Sequence, residues 1–244
     1  MNQHSEQAAG AARVTILTLT LAAGSIVTLL TLASHNAARP AGPIAFIALT
    51  LACCAAETFP VHFAVGEEKH TISFNELPLA IGVVMLTPAA LVMAVVVGSG
   101  IALVLHRRQR GVKLAFNLAQ LAVQALVALT VFDAIRHGTL TSAVTYAAIG
   151  LAVLMADTVS AILVSSAIAL HRGDTSGVIN ARAMLGGALE CLPKAVLAVG
   201  AVAAVMNHNT FGLIAAIMLS AVAYHGYRNH IARRRIAQPL VPAI

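Results

Sequence analysis

Long apolar runs separated by short polar segments dominate the pattern of this chain. The runs predict helices near 14–34, 43–59, 77–87, 88–105, 112–132, 143–170, 184–206 and 210–226. Several approach the roughly 20 helical residues that cross about 30 Å of hydrocarbon. Lipid cannot hydrogen-bond an open backbone, and the period-two alternation of a membrane barrel is missing. The pattern therefore predicts an all-α, polytopic transmembrane helical bundle.

The number of segments depends on the run from Leu77 to Leu105, which contains no charged residue. Pro88 interrupts this run, and a proline bends or ends a helix because it lacks a backbone N–H. The run is compatible with two short crossings, a re-entrant hairpin or one kinked helix. We expect about eight segments, or seven if the run is a single helix.

The polar segment between the second and third runs, PVHFAVGEEKHTISFNELP, has a different pattern. Apolar residues alternate with others on both sides of Gly66, which predicts a short β-hairpin within 61–74. Asn75 precedes the next helix, and Pro78 falls in its first turn, where the missing N–H does no harm. Asn75 is therefore expected to cap that helix.

The composition agrees with a membrane protein. The 244 residues are 59% hydrophobic and 10% charged, whereas soluble domains carry about 25% charged residues. The net charge of +6 would suggest nucleic acid in a soluble protein. Here the cations lie between apolar runs and there is no Trp for base stacking, so nucleic acid is excluded as a partner.

The Lys and Arg residues indicate an orientation in the cell membrane. With eight segments and a cytoplasmic amino terminus, 12 of the 15 lie inside, while Arg39 and Arg136 lie outside and Lys194 lies within a helix. If 77–105 is a single helix, the predicted sidedness is reversed only for the amino-terminal half of the chain. The predicted organisation is a cytoplasmic tail at 1–12, one transmembrane domain at 13–227 and a basic cytoplasmic tail at 228–244. The loop HRRQRGVK is predicted to fix topology and contact lipid head groups through Arg107, Arg108, Arg110 and Lys113.

Polar side chains within the apolar runs are the candidate functional residues, because such groups are expensive in lipid. Glu190 and Lys194 are four residues apart on one helix face and can neutralise each other. Asp157 can meet Lys194 or a polar stripe on the fifth segment. These side chains either hold helices together or line an intramembrane polar cavity; the candidates are Glu57, Asn117, Gln120, Gln124, Asp157, Glu190 and Lys194.

No catalytic signature is present in the sequence. Cys53, Cys54 and Cys191 all fall in apolar runs and form no disulfide framework. No histidine pair lies at mid-membrane depth for haem, and there is no Walker loop, GxSxG, HExxH or paired CxxC motif. We therefore expect no enzyme activity, no cofactor and no metal.

The stretch ETFPVHFAVGEEKHTISFNELPLAIGVVMLTPAALVMAVVVGSGIALVLHRRQRGVKLAFNLAQ resembles a membrane input region of actinobacterial signalling proteins. Within about 45–135, the resemblance rests on a small set of positions: Phe59, Pro60, Glu76, Pro78, Pro88 and the segment from His106 to Asn117. In that family the region precedes GGDEF, EAL or HD-GYP domains, which make or degrade cyclic di-GMP. The resemblance implies a multi-helix sensory or anchoring module that reports to a cytoplasmic output domain.

This sequence contains none of those catalytic motifs, and Pro239 and Pro242 would stop a signalling helix in its tail. We expect a free-standing membrane module, a remnant, or the front part of a longer protein. A sensory or anchoring module is the first hypothesis, with the lipid bilayer, an output domain or protein, and a second copy of the chain as partners. A small-molecule transporter or substrate-binding membrane subunit is the second, and a purely structural membrane protein the third.

Overall fold

The protein is described by a computed structural model for residues 3–34, 42–59, 61–65, 68–72, 75–136, 142–173, 181–209 and 212. These residues contain seven α-helices: α1 Gln3–Ser34, α2 Pro43–Thr58, α3 Glu76–Met85, α4 Pro88–Ile101, α5 Gly111–Ile135, α6 Ala143–Arg172 and α7 Ala181–Met206. A π-helical turn, Ala102–His106, continues α4.

Two short strands connect α2 to α3. Strands β1 Val61–Val65 and β2 Glu68–Ile72 are antiparallel, with Val61 opposite Ile72 and Val65 opposite Glu68. They lie within 61–74, the range in which a hairpin is predicted from the alternating pattern.

Four of the described helices are long and apolar enough to cross a membrane. They are Ala8–Leu32 within α1, Pro88–His106, which is α4 with its π turn, and the whole of α5 and α6. The described residues therefore form a helical bundle with four candidate spans, fewer than the eight segments predicted. Helix α3 has ten residues, so at 1.5 Å per residue it covers only about half of the hydrocarbon. The predicted segment 210–226 lies outside the described residues except for Gly212.

The apolar run at Leu77–Leu105 is divided into two helices. Helix α3 ends at Met85, Leu86 and Thr87 are extended, and α4 begins at Pro88. The Thr87 hydroxyl accepts a hydrogen bond from the backbone N–H of Ala90, at 3.4 Å, so it caps α4. The interpretation as one kinked helix is therefore wrong, because two extended residues separate the helices.

Small residues allow the helices to pack closely. Helix α5 packs on α6, α7 packs on α6 and α3, and α2 packs on α4. The alanines at these contacts are almost completely buried: Ala125, Ala128, Ala148, Ala152, Ala156, Ala198 and Ala201. Such residues bring helix backbones together where lipid supplies no hydrophobic driving force. Larger apolar side chains are divided between the interior and the surface, and α1 has several exposed ones: Ile16, Leu19, Ile26, Val27 and Leu30.

The closest of these contacts predicts a stability change. A Cβ at Gly98 of α4 would collide with the backbone carbonyl of Thr50 on α2, while a Cβ at Gly24 of α1 meets nothing. We expect Gly98→Ala to lower the free energy of unfolding by about 1–3 kcal/mol, as overpacking does. The matched variant Gly24→Ala should melt at or above the wild-type temperature, because alanine favours a helix. Equal melting temperatures for the two variants, measured in detergent, would contradict the close contact.

Candidate functional site

The first ionic contact joins α2 to the end of the π turn. The Arg107 guanidinium lies 2.9 Å from Glu57 Oε2, an ion pair by distance rather than an aligned hydrogen bond. Arg107 Nε also donates to the backbone carbonyl of Glu57, at 3.2 Å. The Glu57 side chain is 8% exposed and that of Arg107 is 23% exposed. Two independent contacts therefore fix Arg107 on the carboxyl end of α2.

The π turn distinguishes Arg107 from the neighbouring cations. The N–H of Arg107 bonds to the carbonyl of Ala102, five residues earlier, and Arg108 then takes a positive φ of 51°. Arg108, Arg110 and Lys113 are exposed, while Arg107 is partly buried. The four cations predicted to form one head-group loop therefore divide: three point away from the bundle and Arg107 pairs with an acid inside it.

Asn75 extends this contact to α4. Its side-chain amide donates to Glu57 Oε1 at 2.9 Å and to the Ser99 hydroxyl at 3.3 Å. Its backbone is already helical and its side chain makes no capping bond to α3. The predicted cap is therefore wrong: a capping side-chain oxygen accepts from the first turn when its residue has a non-helical backbone, whereas Asn75 is helical and its side-chain oxygen has no donor among the described residues.

The second ionic contact joins three helices. Lys194 Nζ of α7 donates to Glu76 Oε1 of α3 at 2.7 Å and to Asp157 Oδ2 of α6 at 3.1 Å. The other oxygen of Asp157, Oδ1, accepts from the Gln124 amide of α5 at 3.1 Å. The exposed fractions of the three ionisable side chains are 14% for Lys194, 5% for Glu76 and 6% for Asp157. We call Glu76, Asp157 and Lys194 the lysine triad.

The two contacts are adjacent because Asn75 and Glu76 are consecutive at the start of α3. Together with Ser99 and Gln124, the Glu57–Arg107 pair and the lysine triad form what we call the polar network. Its members come from six helices, α2 to α7, and the π turn. Charges this far from water are stable only when paired and hydrogen-bonded, so the network fixes how the helices pack.

The remaining predicted residues lie around the network or outside the description. Gln120 donates to the Ser160 hydroxyl at 2.6 Å and thus also links α5 to α6. Asn117 is half-buried and donates to Gln109 of the loop, at 2.6 Å. The side chain of Glu190 lies outside the described residues. Asp157 contacts both partners suggested by the sequence, Lys194 and the amide stripe.

Sequence reasoning missed three members of the polar network. From the sequence, Glu76 is a position of the family resemblance at the start of an apolar run and Asn75 is a helix cap, while Ser99 has no predicted role. Ser99 follows Gly98 in an apolar run and has no distinguishing neighbour in the sequence. The acid directly before the apolar run at 77–87 was the one available signal, because it is close enough to lipid to need a partner.

The described residues thus form a helical bundle with four candidate membrane spans and an internal ionic network. Among the residues that the structure describes, no group of three or more His, Cys, Asp or Glu side chains could hold a metal ion. Comparison of the chain with protein-family models, curated proteins and solved structures finds no match.

The Glu57–Arg107 pair predicts unequal effects of neighbouring arginines on stability. We expect Arg107→Ala to lower the free energy of unfolding by about 3 kcal/mol, since it leaves the Glu57 carboxylate buried without its partner. Arg110→Ala removes the same charge from an exposed position and should change it by less than about 0.5 kcal/mol. Thermal or urea unfolding in detergent measures the free energy of unfolding of both variants. Equal losses of stability would mean that Arg107 does not belong to the network.

Proposed function

We propose that the chain is a non-enzymatic membrane sensory or anchoring module of bacterial signalling type. The observation that carries this proposal is the contact of Lys194 with Glu76 and Asp157, which ties α7 to the interior of the bundle. Helix α7 leads to the carboxyl-terminal part of the chain, where an output domain or protein would receive the signal. A stimulus that alters the lysine triad would therefore alter a helix that leads towards the output.

The position of the network in the sequence supports the same proposal. The stretch that resembles the input region of cyclic di-GMP signalling proteins includes Glu57, Asn75, Glu76, Ser99 and Arg107. These five residues build the half of the polar network that reaches α3. Two positions of the resemblance, Glu76 at the start of α3 and the HRRQ segment, are distant in the sequence. Asn75, which precedes Glu76, bonds to Glu57, and Glu57 pairs with Arg107 of the HRRQ segment.

The proposal includes an orientation. The loop at Arg108 and the carboxyl terminus face the cytoplasm, as the distribution of Lys and Arg indicates. Helix α5 is a candidate span that begins after this loop and ends before Arg136, so Arg136 lies on the opposite side. The amino terminus also lies in the cytoplasm in this proposal, which requires an even number of crossings before the loop at Arg108.

This orientation predicts opposite labelling of two positions. In a background with Cys53, Cys54 and Cys191 changed to alanine, Arg136→Cys should react with an impermeant maleimide in intact cells. Arg108→Cys should react only after the cells are permeabilised, because α5 separates the two positions. Reaction of Arg108→Cys in intact cells would reverse the orientation.

Sensing predicts a stimulus-dependent output. The full chain is joined at its carboxyl end to a diguanylate cyclase domain, and cyclic di-GMP is measured while pH, redox state and lipid composition are varied. We expect at least one stimulus to change turnover by about fivefold or more, the lower range of allosteric coupling. Lys194→Met should remove the response because it disconnects α7 from Glu76 and Asp157, whereas Arg110→Ala should retain it.

Constant turnover under every stimulus would contradict sensing and leave the anchoring role.

A transporter is the second candidate, favoured by the interruption between α3 and α4 beside buried polar groups, an arrangement that transporters use for binding sites. Uptake of a labelled solute by proteoliposomes, lost in Asp157→Ala, would replace the sensory proposal by this one. A purely structural role remains if Asp157→Asn and Gln120→Leu change stability alone.

A further inference from the structure

The acidic side chains of the polar network outnumber its basic side chains, three to two. Glu57 and Arg107 pair one to one, whereas the single ammonium of Lys194 is shared by Glu76 and Asp157. With every acid ionised, the network carries one excess negative charge. Burial disfavours an uncompensated charge strongly.

One carboxylate oxygen of the lysine triad is left without a partner. Asp157 accepts at both oxygens, from Gln124 and from Lys194, and Glu76 Oε1 accepts from Lys194. Glu76 Oε2 is buried and has no hydrogen-bond partner, and Glu76 as a whole is only 4% exposed. The side-chain oxygen of Asn75, the preceding residue, is also buried without a donor. Both atoms are acceptors, so this part of the network lacks a donor.

Among the residues whose side chains the structure describes, no other group around Glu76 compensates the excess charge. Helix α2 supplies Glu57, which is neutralised by Arg107, and the thiol of Cys53, while α4 contains no ionisable residue. From α5 the described contact is the neutral Gln124, and the ionisable residues of that helix, Lys113 and Asp133, lie towards its two ends. On α7, a contribution from Glu190 would only increase the negative charge.

The start of α3 is the one feature that favours an ionised Glu76. Glu76 is the first residue of that helix, where the helix dipole stabilises negative charge. The dipole acts weakly compared with the cost of an unpaired buried carboxylate. Both oxygens of Asp157 accept hydrogen bonds, and one of those bonds comes from a cation; bonds of this kind favour the charged form of a carboxyl group.

We propose that the lysine triad is a proton-binding site, with one proton held on Glu76 Oε2. Glu76 is then a neutral carboxylic acid whose Oε1 still accepts from Lys194. Asp157 and Lys194 form a balanced ion pair, and the excess charge of the network is removed. The site exists whether or not the chain senses a stimulus, so it does not depend on the proposed function.

Two amide variants of the full-length protein test the proposal. In Glu76→Gln a neutral amide replaces a neutral acid, its oxygen can accept from Lys194, and the melting temperature should stay within a few degrees of wild type. In Asp157→Asn the ammonium loses the ionised partner that the structure describes for it, and the fall in melting temperature should be several times that of Glu76→Gln. An equal fall in both variants, or a larger fall for Glu76→Gln, would overturn the assignment.

Infrared spectroscopy supplies a readout that a structural role alone would not move. Purified protein at neutral pH, in a detergent without ester or carboxyl groups, should show the carbonyl stretch of a protonated carboxylic acid. The band should be lost in Glu76→Gln and kept in Glu57→Gln, a buried acid that Arg107 neutralises. A band that persists in Glu76→Gln contradicts the site. Absence of the band together with a melting temperature raised by NaCl, but not by choline chloride, would mean that sodium and not a proton neutralises the triad.

Discussion

The contact of one ammonium group with two carboxyl groups carries most of the organisation of this protein. Lipid supplies neither water nor counter-ions, so each charge that enters the bundle must find a partner within it. Lys194 can satisfy that condition only where α3, α6 and α7 meet. The apolar surfaces of these helices would tolerate many arrangements in lipid, which is as apolar as they are. Because the ionic contacts are directional, they select one arrangement from among these.

The same requirement explains why the short helices are arranged around the network. Helices α2 and α3 are shorter than the thickness of the hydrocarbon, and their polar ends carry Glu57, Asn75 and Glu76. Their partners are Ser99, within the continuous helical segment Pro88–His106, Arg107, directly after that segment, and Lys194 of α7. A short helix can therefore end at depth in the bundle without leaving its terminal polar groups unpaired. This combination is compatible with a module that moves one helix relative to the others.

The positions of the helices could be predicted from the sequence because apolar composition is a local property. The predicted run 143–170 corresponds to α6, Ala143–Arg172, and the hairpin range contains the two strands. The number of crossings could not be predicted in this way, because composition indicates a helix without fixing its length. The partners of the charged side chains were even harder to predict from the sequence. Spacing along the chain suggested Glu190 for Lys194, four residues away, whereas the described contact with Glu76 joins residues 118 positions apart. Nor does a charge count distinguish Arg107 from Arg108; only the π turn directs the former inwards.

The order of the paired residues along the chain has a consequence for biogenesis. Glu57 is synthesised before Arg107, and Glu76 and Asp157 are both synthesised before Lys194. A nascent helix that enters the bilayer with an acid can take up a proton and insert uncharged, whereas a guanidinium cannot lose its charge in this way. For the Glu57–Arg107 pair, the permanently charged member is therefore synthesised when its counter-charge already exists in the nascent chain. Reversing the two members of a pair would keep the folded contact but would make insertion of the earlier segment more costly.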